Sequence, residues 1–213
     1  MDKVLKSNFE NKLKEIKKKS LKNYKKIKGN LVHNTAVINW KRLVIGKNNI
    51  IGPYVTIGED ANHPYEESKG IIKIGNFNIF REFVQINLPT KKKLLTFIGD
   101  RNYLMQFCHV AHDCFLEDDI TLAVSTILGG NTHIMVGAQT GFRVTIHQNQ
   151  VIGSYSMIGM CSIITKNKII MPGRTYYGET ANKSKKNTFG LNRYRINHLK
   201  LKNEIKKFKL LID

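Results

Sequence analysis

Large apolar side chains return at every sixth residue between Ile98 and Ile170: Ile98, Leu104, Val110, Leu116, Leu122, Leu128, Ile134, Thr140, Ile146, Ile152, Ile158, Ile164 and Ile170. Twelve of these thirteen positions are Ile, Leu or Val, although those three types make up only 54 of the 213 residues, so composition alone does not produce the beat. Four residues after most of them comes a small or slim side chain, as at Cys108, Cys114, Thr126, Thr132, Ala138, Ser156 and Ser162. Neither an α-helix, with its period of 3.6, nor an alternating strand, with its period of 2, keeps a six-residue phase. The hexad predicts an all-β solenoid, a parallel β-helix of short strands. Its bulky residue enters a narrow core, and the small one sits where the wall bends.

The same beat runs earlier at Ile45, Ile51 and Ile57, each followed by Gly, and returns at Ile74, Phe80 and Ile86. It is interrupted twice. Glu59 to Gly70, with Asp60, His63, Pro64, Glu66 and Glu67, reads as a loop leaving the wall, and Asn87 to Lys93 reads as a second excursion. Residues 2–28 carry Leu5, Phe9, Leu13, Ile16, Tyr24 and Ile27 on one stripe, which predicts an amphipathic helix ended by Gly29-Asn30. After Met171-Pro172-Gly173 the pattern predicts an irregular connector over 174–188. A terminal helix over 189–212 follows, with Tyr194, Leu201, Ile205, Phe208 and Ile212 on the face that would cap the open end of the solenoid. The expected organisation is a basic N-terminal helix (1–30), a β-helix body (31–175), and a connector with a basic C-terminal helix (176–213).

Charge sharpens this division. The net charge is +19, and residues 1–30 and 183–213 contribute +8 each, leaving +3 for the body. Basic ends on a near-neutral body suit an acidic partner: an acidic carrier protein, anionic lipid headgroups or nucleic acid. The plainer alternative is that these lysines are simply solvated. Attraction of this kind weakens as salt rises. No secretory leader and no apolar run near 18 residues is visible, and Cys108, Cys114 and Cys161 form no CxxC pair and lie within the lattice. Buried thiols in a reducing compartment, a cytoplasm, are therefore expected.

The densest polar cluster in the lattice is Cys108-His109-Val110-Ala111-His112-Asp113-Cys114. Val110 and Leu116 point inward, so His112 and Asp113 are expected at an outward-facing corner between them. With three hexads to a coil, His112, Gly130 and Gln148 fall in one column, flanked by Asn131 and His147. An imidazole near neutrality suits a general base acting on a hydroxyl, and a glycine amide with no side chain beside it suits an oxyanion. Ordinary solvated corner residues are the alternative.

The run His109-Val110-Ala111-His112-Asp113-Cys114, together with His33-Asn34-Thr35-Ala36-Val37-Ile38, Ile74-Gly75 through Arg81-Glu82, and Ile146-His147-Gln148, resembles the acyl-[acyl-carrier-protein]–UDP-N-acetylglucosamine O-acyltransferase family over roughly residues 31–192. The resemblance implies a left-handed parallel β-helix and a homotrimer with active clefts between subunits. It also implies the first step of lipid A biosynthesis, with the acyl chain delivered as acyl carrier protein thioester, no bound cofactor and no metal. His112 matches the family's general base, Asp113 the acid that supports it, and Gly130 the amide that faces the oxyanion. His109, His147 and Gln148 match residues lining the substrate cleft. Asn131 stands where the family carries a substrate-binding histidine, and Met160 falls where the family sets acyl-chain length. The nucleotide-sugar acceptor rests on the resemblance alone; nucleic acid is not the expected partner, and contact of the lysine-rich ends with a membrane surface is left open.

Three other readings use the same residues. A coenzyme A-dependent acetyltransferase of the same repeat class would share the histidine and change the donor. A zinc enzyme of the γ-carbonic anhydrase type would need His109, His112 and His147 as ligands. A non-enzymatic scaffold would use only the solenoid and its basic ends.

Overall fold

The computed structural model describes residues 11, 14, 23–63 and 65–212. Its body is a parallel β-helix of triangular cross-section whose short strands stack into three faces of ten, seven and six strands. The chain visits the faces in turn, and each strand pairs in parallel with the strand about one coil away, as in His109↔Ile127 and Val110↔Leu128 on the second face. That register is eighteen residues, three hexads to a coil. Neighbouring rungs in such a ladder lie about 4.8 Å apart.

The hexad positions form the core. All thirteen from Ile98 to Ile170 are at most 5% exposed. Thr140, the one polar member, satisfies its hydroxyl against Thr126 Oγ1 (2.8 Å) and the Ala123 N–H (3.1 Å). Burying each Ile, Leu or Val side chain contributes roughly 1.5–3 kcal/mol, and the stack is continuous, so the interior amounts to one apolar column. At the corner joining the third face to the first, a buried asparagine ladder fastens coil to coil. Asn49 N–H donates to Asn30 Oδ1, Asn78 N–H to Asn49 Oδ1, and Asn102 N–H to Asn78 Oδ1, all at 2.7–2.9 Å.

The ends differ from the sequence expectation. The predicted helix over 2–28 lies largely outside the described residues, and its last part is a strand: Tyr24–Ile27 pairs antiparallel with Asn30–His33 to start the first face. The expected connector over 174–188 is instead ordered. Tyr176 stands six residues after Ile170 and is buried. Arg174–Tyr177 continues the first face in parallel with Met157–Ile158, then turns back as Lys183–Lys186. The terminal helix is two: α1 (Thr188–Arg193) and α2 (His198–Ile212), separated where Arg195 adopts φ 51°.

Nor does α2 cap the open end. It runs back along the corner between the third and first faces, with Phe208 fully buried, Ser154 Oγ donating to Glu204, and Lys207 Nζ reaching Glu117 at 2.8 Å. Ile212, expected on the buried stripe, is 42% exposed. Among the thiols, Cys108 and Cys114 are buried as expected, whereas Cys161 is exposed on a corner. No helix among the described residues is long and apolar enough to cross a membrane.

Glu117 is the anchor for α2. Burial works to raise its pKa, but hydrogen bonds from His133, Lys207 and the Val136 N–H outweigh that effect and hold it at about 2. A carboxylate depressed in the folded state contributes stability that is complete above its unfolded value and is lost as pH falls toward its folded value. The expected result is a Glu117→Gln variant that is less stable than the parent at neutral pH. Its stability should fall less than the parent's between about pH 4.5 and 2, as read from denaturant midpoints across that range.

Candidate active site

His112 and Asp113 sit in the tight turn between His109–Val110 on the second face and Phe115–Leu116 on the third. Asp113 adopts φ 62°, and the residues above it in the same column, Asn131, Asn149 and Asn167, have φ of 58–63°. Asp and Asn are the non-glycine residues that tolerate this left-handed conformation best, which explains the column's composition.

The turn fixes a dyad. His112 Nδ1 lies 2.7 Å from Asp113 Oδ2. A carboxylate so placed accepts, so Nδ1 carries the proton and Nε2 keeps its lone pair, with no hydrogen-bond partner among the described residues. The expectation that Asp113 faces outward does not hold: its side chain is only 5% exposed. Thr90 of the second excursion covers it, and Thr96 of the strand Leu95–Ile98 holds its backbone. Asp113 Oδ1 accepts the Thr90 N–H (3.0 Å), Oδ2 accepts the Thr90 hydroxyl (2.8 Å), and the Asp113 N–H donates to Thr96 Oγ1 (3.0 Å).

Gly130 lies one rung above, in register with His112, and the absence of a side chain there is a steric requirement. A Cβ at Gly130 would lie 2.4 Å from His112 Cε1 and 2.5 Å from Nε2. The imidazole is thus seated against the Gly130 backbone. The inter-coil ladder uses the Gly129 N–H and the Gly130 carbonyl, and leaves the Gly130 N–H without a partner among the described residues.

The remaining predicted residues are placed less compactly. His109 projects from the second face beside the dyad, with Nδ1 3.3 Å from Gln85 Oε1; burial, and then the nearby His112 charge, lower its pKa. Asn131 Nδ2 donates to Asn149 Oδ1 at 2.7 Å, extending the corner column. His147 and Gln148 are exposed a further rung on, the His147 ring bonded to the Gln148 carbonyl at 3.0 Å. Met160 is 66% exposed and lies at a different corner, between the first and second faces, so this chain does not bring it to His112. His109, His112 and His147 do not converge, and no group of three or more metal-binding side chains is present among the described residues.

Two neighbours of the dyad were not singled out in the sequence. His63, from the first excursion, packs edge-on against His112 with ring centroids 5.5 Å apart. Thr90 comes from the second. Both lie in interruptions of the hexad, where no period indicates the direction of a side chain. The only sequence signal is the presence of polar, ionisable residues where the lattice fails.

No family model matches the chain. Curated relatives of the chain are acyl-[acyl-carrier-protein]–UDP-N-acetylglucosamine O-acyltransferases. That of Synechocystis sp. is 36% identical over 150 residues, covering 70% of this chain and 54% of the relative. That of Gloeothece citriformis is 33% identical over 168 residues, covering 78% and 60%. Among solved structures, the UDP-N-acetylglucosamine acyltransferase of Bacteroides fragilis superimposes with a TM-score of 0.74 at 27% identity, over 86% of this chain and 71% of that one.

The chain is related to the UDP-N-acetylglucosamine O-acyltransferases.

It shares with them the left-handed parallel β-helix. It spans little more than half the length of the two curated relatives named above.

Proposed function

We propose that this relative of the UDP-N-acetylglucosamine O-acyltransferases is itself an acyltransferase. In this reading it moves a fatty acyl group from acyl carrier protein to a hydroxyl of a nucleotide sugar, UDP-N-acetylglucosamine, as in lipid A biosynthesis. One observation carries the reading: an imidazole oriented by a buried carboxylate and seated directly against a side-chain-free amide on the next rung.

The chemistry follows from those atoms. His112 Nε2 takes the proton of the acceptor hydroxyl as its oxygen attacks the thioester carbonyl. The negative charge that develops on the carbonyl oxygen is stabilised by the Gly130 N–H, which has no competing partner. The tetrahedral intermediate collapses with cleavage of the C–S bond, and the imidazolium returns its proton to the departing carrier thiolate. Asp113, which accepts the His112 Nδ1–H, stabilises the imidazolium. No acyl-enzyme is required, and the buried thiols are poor nucleophiles in any case: burial pushes Cys108 and Cys114 up to about 12.

In the same proposal His109, Asn131, His147 and Gln148 line the substrate cleft. The assembly is a homotrimer in a cytoplasm, and Met160, which shares no corner with His112, lines the cleft from the neighbouring copy. The exposed lysines of Lys183–Lys186 and α2 supply the positive surface for an acidic carrier protein.

A panel assay tests this reading. Purified chain is incubated with acyl carrier protein thioesters of different chain lengths or with acetyl-coenzyme A, each against several nucleotide sugars. The expected result is transfer from the carrier thioester to UDP-N-acetylglucosamine and little from acetyl-coenzyme A. Preference for acetyl-coenzyme A, or no transfer to any nucleotide sugar, would overturn it.

A further inference from the structure

The two interruptions of the repeat are not independent surface loops. Ser68 bridges Thr90 antiparallel, the Lys69 N–H donates to the Pro89 carbonyl (3.0 Å), and the Lys91 N–H donates to the Glu67 carbonyl (3.1 Å). A further bond within the second excursion, Leu94 N–H to Thr90 carbonyl at 3.0 Å, holds Thr90 in place. The pair forms one flap against the corner that carries His112, and through it Thr90 is inserted until it is only 3% exposed.

Its contacts there are unusual for a loop residue. Thr90 grips both oxygens of one buried carboxylate: its N–H on Asp113 Oδ1, and its O–H on Asp113 Oδ2. Oδ2 is also the oxygen that receives His112 Nδ1–H. A carboxylate held at both oxygens cannot rotate, so the direction of the bond to His112 is fixed. An oxygen that already accepts a hydroxyl also has less electron density to give the imidazole. Direction and strength of the bond between His112 and Asp113 are therefore both set through a residue outside the repeat.

We infer that Thr90 is a positioning residue of the transfer centre, acting on His112 through Asp113; this rests on the acyltransferase reading given above.

Thr90→Val keeps the shape and the backbone N–H and removes only the hydroxyl. The expected result is a fall in kcat of roughly tenfold, the size of one lost hydrogen bond to a charged group, with KM little changed. The His112 Cε1–H titration, followed by NMR on the folded chain without substrate, is expected to move to higher pH because Oδ2 is left to His112 alone. The acid limb of the rate profile should move with it. His63, His109 and Asp113 face the same ring, and all remain in the variant. Thr90→Ser should restore both readouts. Should the valine variant fold poorly, Thr90→Ala is read in the same way.

Parental kcat and an unmoved His112 titration in Thr90→Val would overturn the inference. So would a loss of kcat with no shift in the titration and no rescue by serine, which is the behaviour of a merely structural residue. The titration needs no turnover, so its failure and that of the proposed function are distinguishable: no transfer in the panel assay by the parent chain would remove the acyltransferase reading and leave the Thr90 shift standing.

Discussion

His112→Ala is expected to lower acyl transfer by about 10²–10⁴-fold, the range typical of removing a positioned general base. That corresponds to roughly 3–5 kcal/mol of barrier. The loss should fall on kcat, because the imidazole acts on the proton in the transition state and does little to hold the ground-state complex. The fold should survive. His112 sits at a corner outside the hexad core; its ring touches His63, the Gly130 backbone and Asp113, and Asp113 keeps both hydrogen bonds from Thr90. The melting midpoint and oligomeric state of the variant are therefore expected to match the parent. Undiminished turnover would remove the assigned role, and a coincident collapse of stability would make the loss uninformative about catalysis.

Gly130→Ala is expected to be nearly as damaging for a different reason. The added methyl would stand 2.4–2.5 Å from the imidazole, closer than real side chains approach, so the ring has to leave its place. Displacement breaks the alignment of Nδ1 with Asp113 and moves Nε2 away from the unpartnered amide. A loss of about 10²-fold or more in kcat is expected, comparable with removal of one oxyanion donor, together with a stability cost of about 1–3 kcal/mol from overpacking. A double variant separates steric from chemical causes. In His112→Ala/Gly130→Ala the clash partner is gone, so the stability cost of the methyl should largely disappear while activity stays at the level of His112→Ala. A stability penalty that persists in the double variant would place the clash elsewhere.

Much of this architecture is legible in the chain because the hexad specifies what points inward. Once Val110 and Leu116 are assigned to the core, His112 must lie at the corner between them, and the eighteen-residue coil then places Gly130 over it. The C-terminal elements were less legible. Tyr176 occupies the next hexad position after Ile170, but the polar residues around it masked another strand of the first face. The break between α1 and α2 has no proline or glycine at the Arg195 turn to announce it. The environment of Asp113 was not legible at all. Its burial depends on Thr90, a residue 23 positions earlier in a segment with no period, and the meeting of two such segments is a tertiary event. For the same reason, His63 could be seen as an ionisable loop residue but not as a neighbour of His112.

In the proposed reaction a sugar hydroxyl, deprotonated by His112, attacks the carrier thioester directly. Rapid-quench mixing of the chain with acyl carrier thioester and UDP-N-acetylglucosamine, with intact-mass analysis of the protein at each time point, tests it most directly. Sugar ester is expected to appear as fast as thioester is consumed, the mass of the chain to stay unchanged throughout, and nothing to be consumed when the acceptor is left out. An acylated chain that forms and decays at the rate of turnover would contradict direct attack.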